Sequence, residues 1–146
     1  MDLAYELHDL VRTLDRWAER MLRPAGLSYS RYVALVIVCE HPGLIGRDLA
    51  RGLGVSEAAA SGLVKALLRD ELVENVAGEG AGNIRRLRAT EAGRATQQRC
   101  AELLGDSLDR NARAIGIDPA QLALTVRALH DEVRTTRTDS SSEDPS

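Results

Sequence analysis

The sequence has no phenylalanine, one tryptophan and three tyrosines, so aromatics make up 3% of its 146 residues. A core must therefore be aliphatic. Leucine and alanine carry that mass, and both are strong helix formers. Cysteine is scarce. Cys39 and Cys100 cannot build a disulfide framework, and no CxxC spacing offers zinc a site. No run reaches the ~18 apolar residues of a membrane span. The first twelve residues carry Asp2, Glu6 and Asp9, which is wrong for a signal peptide. A soluble protein in a reducing cytoplasm, with no membrane partner, is expected.

Catalytic signatures are also missing. His8, His41 and His130 have no metal-ligand spacing, and no GxSxG, HExxH or phosphate-binding loop occurs. The run GEGAGN joins two strand-like segments, whereas a nucleotide fingerprint joins a strand to a helix. Neither an enzyme nor a cofactor or metal is expected. Lysine is nearly absent too: of 19 basic residues only Lys65 is not arginine. The net charge of −3 gives no whole-chain argument for nucleic acid. By segment, 1–40 is −1, 41–94 is +1 and 95–146 is −3, so the middle is the least acidic part.

What is present is helical punctuation. Leu3, Leu7, Leu10, Leu14, Trp17 and Met21 form one apolar seam, which predicts a helix over 3–22 with Asp2 as its cap. Pro24 and Gly26 end it. Ser28 or Ser30 opens a second, largely apolar helix that stops at His41-Pro42-Gly43. Leu49, Ala50 and Leu53 then mark a short helix. Gly54 supplies a tight turn, Val55 is expected to plug the angle, and Ser56 caps a helix to about Asp70. That helix should turn Ala60, Leu63, Val64, Leu67 and Leu68 inward. The whole is a helix-turn-helix.

Two strand-like runs follow, 72–76 and 84–89, joined by a glycine-rich loop; they read as a β-hairpin wing. Thr90 caps a long helix over 91–115, with Gly105 as a bend. Asp118-Pro119 opens a last helix striped by Leu122, Val126, Leu129 and Val133. The polar tail, 137–146, is expected to be disordered. The fold class is mostly α with a small two- or three-stranded β-wing: a winged helix-turn-helix (41–90) between N- and C-terminal helices (1–40 and 91–136), all one domain.

The strings LSYSRYVALVIV, RDLARGLGVSEAAASGLVKALLRDELV and RRLRATEAG, in that order, resemble the MarR family of bacterial transcriptional regulators. The resemblance covers about residues 3–136, with Ala89 where the family has Leu before Thr-x-x-Gly. It implies a homodimer whose terminal helices interlock and whose two winged helices sit on successive major grooves of a pseudo-palindromic operator. It also implies a repressor released by a small aromatic or anionic effector.

The recognition helix would then present Ser56, Ala58, Ala59, Ser61, Gly62, Lys65 and Arg69 to DNA. Ser61 can hydrogen-bond, and the alanines can touch a thymine methyl. Lys65 and Arg69 suit either phosphate contact or a solvated face. Arg85, Arg86 and Arg88 would meet the phosphate backbone from the wing. Family members often carry an arginine where Gly62 stands, and another at the wing tip, where this chain reads Ala81-Gly82-Asn83 near Glu79. Those departures support a second reading: a winged-helix module that binds a small molecule or protein and has weak or lost DNA binding. For the effector, His8, Arg12 and Arg16 would offer cations, and Tyr29 and Tyr32 an aromatic wall. Some members sense oxidants through cysteine. Here Cys39 lies in an apolar helix, and both thiols read as inert.

Overall fold

The computed structural model describes residues 1–140 and divides into two compact units. The first, Met1–Gly105, holds α1 (Leu3–Leu22), a 3₁₀ turn (Arg23–Ala25), α2 (Tyr29–Glu40), β1 (Leu44–Ile45), α3 (Gly46–Leu53), α4 (Glu57–Arg69), β2 (Val73–Asn75), β3 (Arg86–Ala89) and α5 (Glu91–Leu104). The second holds α6 (Ser107–Ala114) and α7 (Pro119–Ser140).

The expected caps are in place. Asp2, Ser28, Ser56 and Thr90 each accept a backbone N–H of the first turn they open, from Ala4, Arg31, Ala59 and Gly93 at 3.0–3.2 Å. In the second unit Asp118 Oδ1 accepts from Ala120 N at 3.0 Å. Each such bond contributes about 1 kcal/mol and fixes where its helix begins.

The core of the first unit is aliphatic, as the composition requires. Leu22, Leu35, Val38, Leu49, Leu67 and Leu87 are fully buried, and no polar or charged residue is buried among the described residues. From α4 come Ala60, Val64, Ala66 and Leu67, with Leu63 and Leu68 only half-buried. Val55 departs from expectation and is 41% exposed. The turn is closed by backbone instead: Val55 N donates to Ala50 O at 3.1 Å, and Gly54 takes the left-handed conformation at φ +69°.

The sheet has three antiparallel strands in the order β1-β3-β2. Central β3 alternates, with Leu87 and Ala89 inward and Arg86 and Arg88 outward. The sequence gives no sign of β1. It is two residues long, and its pairing is distant: Leu44 opposite Leu87, Ile45 opposite Arg86.

Two boundaries also differ from expectation. The long helix predicted over 91–115 is broken, not bent. Gly105 sits at φ +60°, ψ −154°, a region essentially restricted to glycine, so α5 ends and α6 starts afresh. At the other end α7 runs through Ser140, so 137–140 are helical and not disordered; the rest of the tail, 141–146, lies outside the described residues. No proline or glycine interrupts α7 after Pro119, and the Thr135 hydroxyl bonds back to Asp131 O at 3.0 Å.

The seam on α1 is buried only at its C-terminal end. Ala18 and Leu22 lie in the core, Leu14, Trp17 and Met21 are half-buried, and Leu3, Tyr5, Leu10 and Val11 are exposed, Leu3 by 63%. In the second unit Leu122, Leu124, Val126, Leu129 and Val133 are exposed along α7.

Two glycines test the packing in opposite directions. A Cβ on Gly93 would lie 1.9 Å from the Leu72 carbonyl oxygen, which already accepts Thr90 N at 3.0 Å. Gly93→Ala is expected to destabilise the protein by about 2–3 kcal/mol in urea unfolding, because backbone cannot step aside cheaply. Gly62 lies inside α4 with nothing within 4 Å of its added Cβ. Gly62→Ala is expected to stabilise by about 0.5–1 kcal/mol in the same assay.

Candidate nucleic-acid interface

The turn at Gly54 and the cap at Ser56 set α4 against α3 and leave one side of α4 in solvent. Glu57, Ala58, Ala59, Gly62, Lys65 and Arg69 are exposed there, and Ser61 is half-buried. Beside α4 the wing loop is anchored at its base. Asn75 Oδ1 accepts from both Ala77 N (3.0 Å) and Arg86 N (3.1 Å), and Val76 N donates to Arg86 O at 2.8 Å. The side chain of Asn75 thus does for the loop what a further ladder pair would do.

Between α4 and the wing runs an open cleft of about 650 Å³. Val64 and Leu87 are among its apolar lining. Glu57, Ser61 and Lys65 line it from α4, Asn83, Ile84 and Arg85 from the wing, and Arg47 from the first turn of α3. Three cations thus face one carboxylate in a groove between α4 and the wing. Arginine, lysine, hydroxyl and amide groups are the usual holders of phosphate oxygens.

The structure sorts the expected DNA contacts. Ser61, Lys65 and Arg85 line the cleft. Ser56 spends its hydroxyl oxygen on the cap. Ala58, Ala59 and Gly62 lie on the exposed side of α4 but do not line the cleft. Arg69 pairs with Asp70 at 3.3 Å, and Arg86 Nη1 donates to Gly43 O at 3.4 Å. Arg88 is held by Glu74, its cross-strand partner, through bonds of 2.6 and 2.9 Å to one carboxylate oxygen. Both side chains are about half exposed, so this pair is worth little and can exchange. Arg47 and Asn75 were missed. Arg47 reaches the cleft because β1 pairs with β3, and a two-residue strand leaves no pattern to read.

The five residues expected to hold an effector do not gather. His8 Nδ1 lies 2.7 Å from Ala4 O on its own helix, Arg12 pairs with Asp9 at 3.1 Å, and Arg16 donates to Thr13 at 3.4 Å. Tyr29 and Tyr32 do meet, with ring centroids 6.1 Å apart and planes tilted by 42°. Tyr29 N donates to Glu19 at 3.2 Å, which sets it beside the end of α1. His8 is eleven residues earlier, roughly 16 Å along the helix axis. Of the three cations only Arg16 is within a turn of Glu19. It lines a shallow cleft with Thr13, Asp15, Glu19, Arg20 and Arg23 that includes neither tyrosine. Burial pushes the Tyr32 hydroxyl pKa up, against a hydrogen bond to Gln97.

Among the described residues no cluster of three or more His, Cys, Asp or Glu could hold a metal, and no helix is long and apolar enough to cross a membrane. Cys100 is fully buried and Cys39 half-buried. Burial raises both thiol pKa values, outweighing Arg94 near Cys39 and Arg99 near Cys100. A raised thiol pKa leaves less thiolate at any given pH, and thiolate is the reactive form. In the native protein at neutral pH both thiols should react with an aromatic disulfide reagent more slowly than free cysteine. Cys100 should be slower than Cys39, and denaturation should release both.

Residues 25–82 match the model of the MarR family. Among solved structures, the chain resembles the transcriptional regulator MosR of M. tuberculosis in complex with DNA, at 23% identity over 94% of this chain and 99% of that one, with a TM-score of 0.76. It resembles CouR from Rhodococcus jostii bound to p-coumaroyl-CoA, at 22% identity over 90% and 91% of the two chains, TM-score 0.75. It also resembles the transcriptional repressor CouR bound to a 23-mer DNA duplex, at 21% identity over 89% and 92%, TM-score 0.78. No curated protein matches the chain in sequence. Helix-turn-helix, three-stranded wing and the match over residues 25–82 agree on a winged-helix fold, and in that segment the chain is similar to the MarR family.

Proposed function

We propose that this protein is a dimeric, sequence-specific DNA-binding transcriptional regulator, a repressor released by a small aromatic or anionic ligand. The observation that carries the reading is the cleft between α4 and the wing, where Arg47, Lys65 and Arg85 face outward beside the recognition helix. Structures with the same fold, MosR and CouR, are described bound to DNA, and CouR also with p-coumaroyl-CoA. We assign DNA binding to residues 41–90 and dimerisation to the helices of 1–40 and 91–136. The exposed leucines and valines of α1 and α7 motivate that assignment. Surfaces of that kind mark an interaction site more often than a solvated face. A regulator of this class works in the cytoplasm and carries no catalytic step.

Release follows from geometry. A dimer reads two half-sites on successive grooves only while its recognition helices stay roughly 34 Å apart. A ligand that prefers a dimer with another spacing shifts the population away from DNA.

The second reading, a binding module with weak or lost DNA affinity, has its own support. The wing tip lacks arginine, Glu79 is exposed near it, and Arg88 is engaged by Glu74. Selection of duplexes from a random pool by the purified protein separates the two. Enrichment of a two-fold symmetric site supports the regulator, and failure after refolding away any bound ligand supports the module. On an enriched site, Lys65→Ala and Arg85→Ala should each weaken binding for all sequences. Each should lower the slope of log affinity against log salt by about one. Leu10→Glu and Leu129→Glu should shift the sedimenting species from dimer to monomer while preserving helical circular dichroism.

A further inference from the structure

The cleft has one acidic lining residue, Glu57, and it stands at the first position of α4. It is exposed, and among the described residues its carboxylate has no recorded ion pair or hydrogen bond. Asp48, Asp70 and Glu74 nearby all pair with arginines. An unpaired acid on the face that meets a polyanion is costly unless it finds a donor there. We propose that Glu57 is a specificity-determining residue, its carboxylate accepting a hydrogen bond from the N4 amino group of one cytosine in each half-site. This rests on the DNA-binding reading above.

Phosphate oxygens repel a carboxylate, and that contact falls to Arg47, Lys65 and Arg85 in the same cleft. The N-terminal residues of a recognition helix are those that approach base edges in the major groove. There guanine presents two acceptors and thymine one, and none of these suits a carboxylate. Adenine offers its N6 amino group beside an N7 acceptor, which opposes the second carboxylate oxygen. Cytosine offers N4 as a donor with no acceptor of its own beside it, and Glu is its fitting partner. On the exposed side of α4 outside the cleft, Ala58, Ala59 and Gly62 carry no polar side-chain group. The Ser61 hydroxyl, one turn on, lies on the same strip and can read the next base as donor or acceptor.

The test is duplex selection with the wild type, Glu57→Ala and Glu57→Gln, each shown by circular dichroism to be folded. Wild type should enrich a site with one fixed C·G pair in each half. Glu57→Ala should lose about five- to tenfold of the preference at that pair and keep the others. Glu57→Gln should move the preference there towards adenine, whose N6 and N7 match an amide. If wild type enriches a site and both variants enrich the same site with unchanged preferences, the proposal is overturned and the DNA-binding reading stands. Tighter binding by Glu57→Gln without a change of base would also overturn it, since Glu57 would then be only a repulsive charge. If wild type enriches nothing even after refolding away any bound ligand, the DNA-binding reading falls and this proposal falls with it.

Discussion

The constraint on which the first unit depends is the close approach of α5 to the chain that leaves α4. Leu72 carbonyl accepts Thr90 N, the Thr90 hydroxyl donates to Glu71 O at 2.7 Å, and Gly93 leaves the space that Leu72 occupies. Glu71 is driven to φ +57° at this junction, an uncommon conformation for a residue with a side chain. Two backbone segments, 71–72 and 90–93, thus meet with no side-chain volume to spare. Through that junction the start of α5 is tied directly to the end of α4 and to the start of β2. Movement of α5 therefore has a short, stiff route to the surface proposed to meet DNA.

Charge is arranged locally rather than globally. The chain is net acidic, yet the cleft beside α4 has three cations against one carboxylate. Several other arginines are already answered by neighbours one or three residues away or across the sheet. These pairs are exposed, so each contributes little to stability and each can be exchanged for a phosphate. The cleft cations have no such local answer recorded among the described residues, and that, not the total charge, marks the surface.

The helices were legible because each is opened by a capping residue whose chemistry is local. Asp2, Ser28, Ser56 and Thr90 announce themselves, and the structure uses all four. What escaped was non-local or conformational. β1 exists only because Leu44 and Ile45 find Leu87 and Arg86. The conformation of Gly105 turned an expected bend into a break, and Val55 turned outward because backbone closed the turn. In the candidate interface, Ser61, Lys65 and Arg85 could be read from position alone. Arg47 could not, since β1 brings it there. Nor could the engagement of Arg88, which depends on the register that sets it opposite Glu74.

Trp17 is the only tryptophan, and it lies half-buried on α1 where the seam passes from the core towards solvent. The core holds no aromatic side chain among its fully buried members. The intrinsic fluorescence of the molecule therefore comes from this seam and not from the centre of the winged helix. Any contact that covers the half-exposed stretch of α1 around Trp17 alters the surroundings of the one strong emitter, so the chain carries a built-in optical reporter of such a contact.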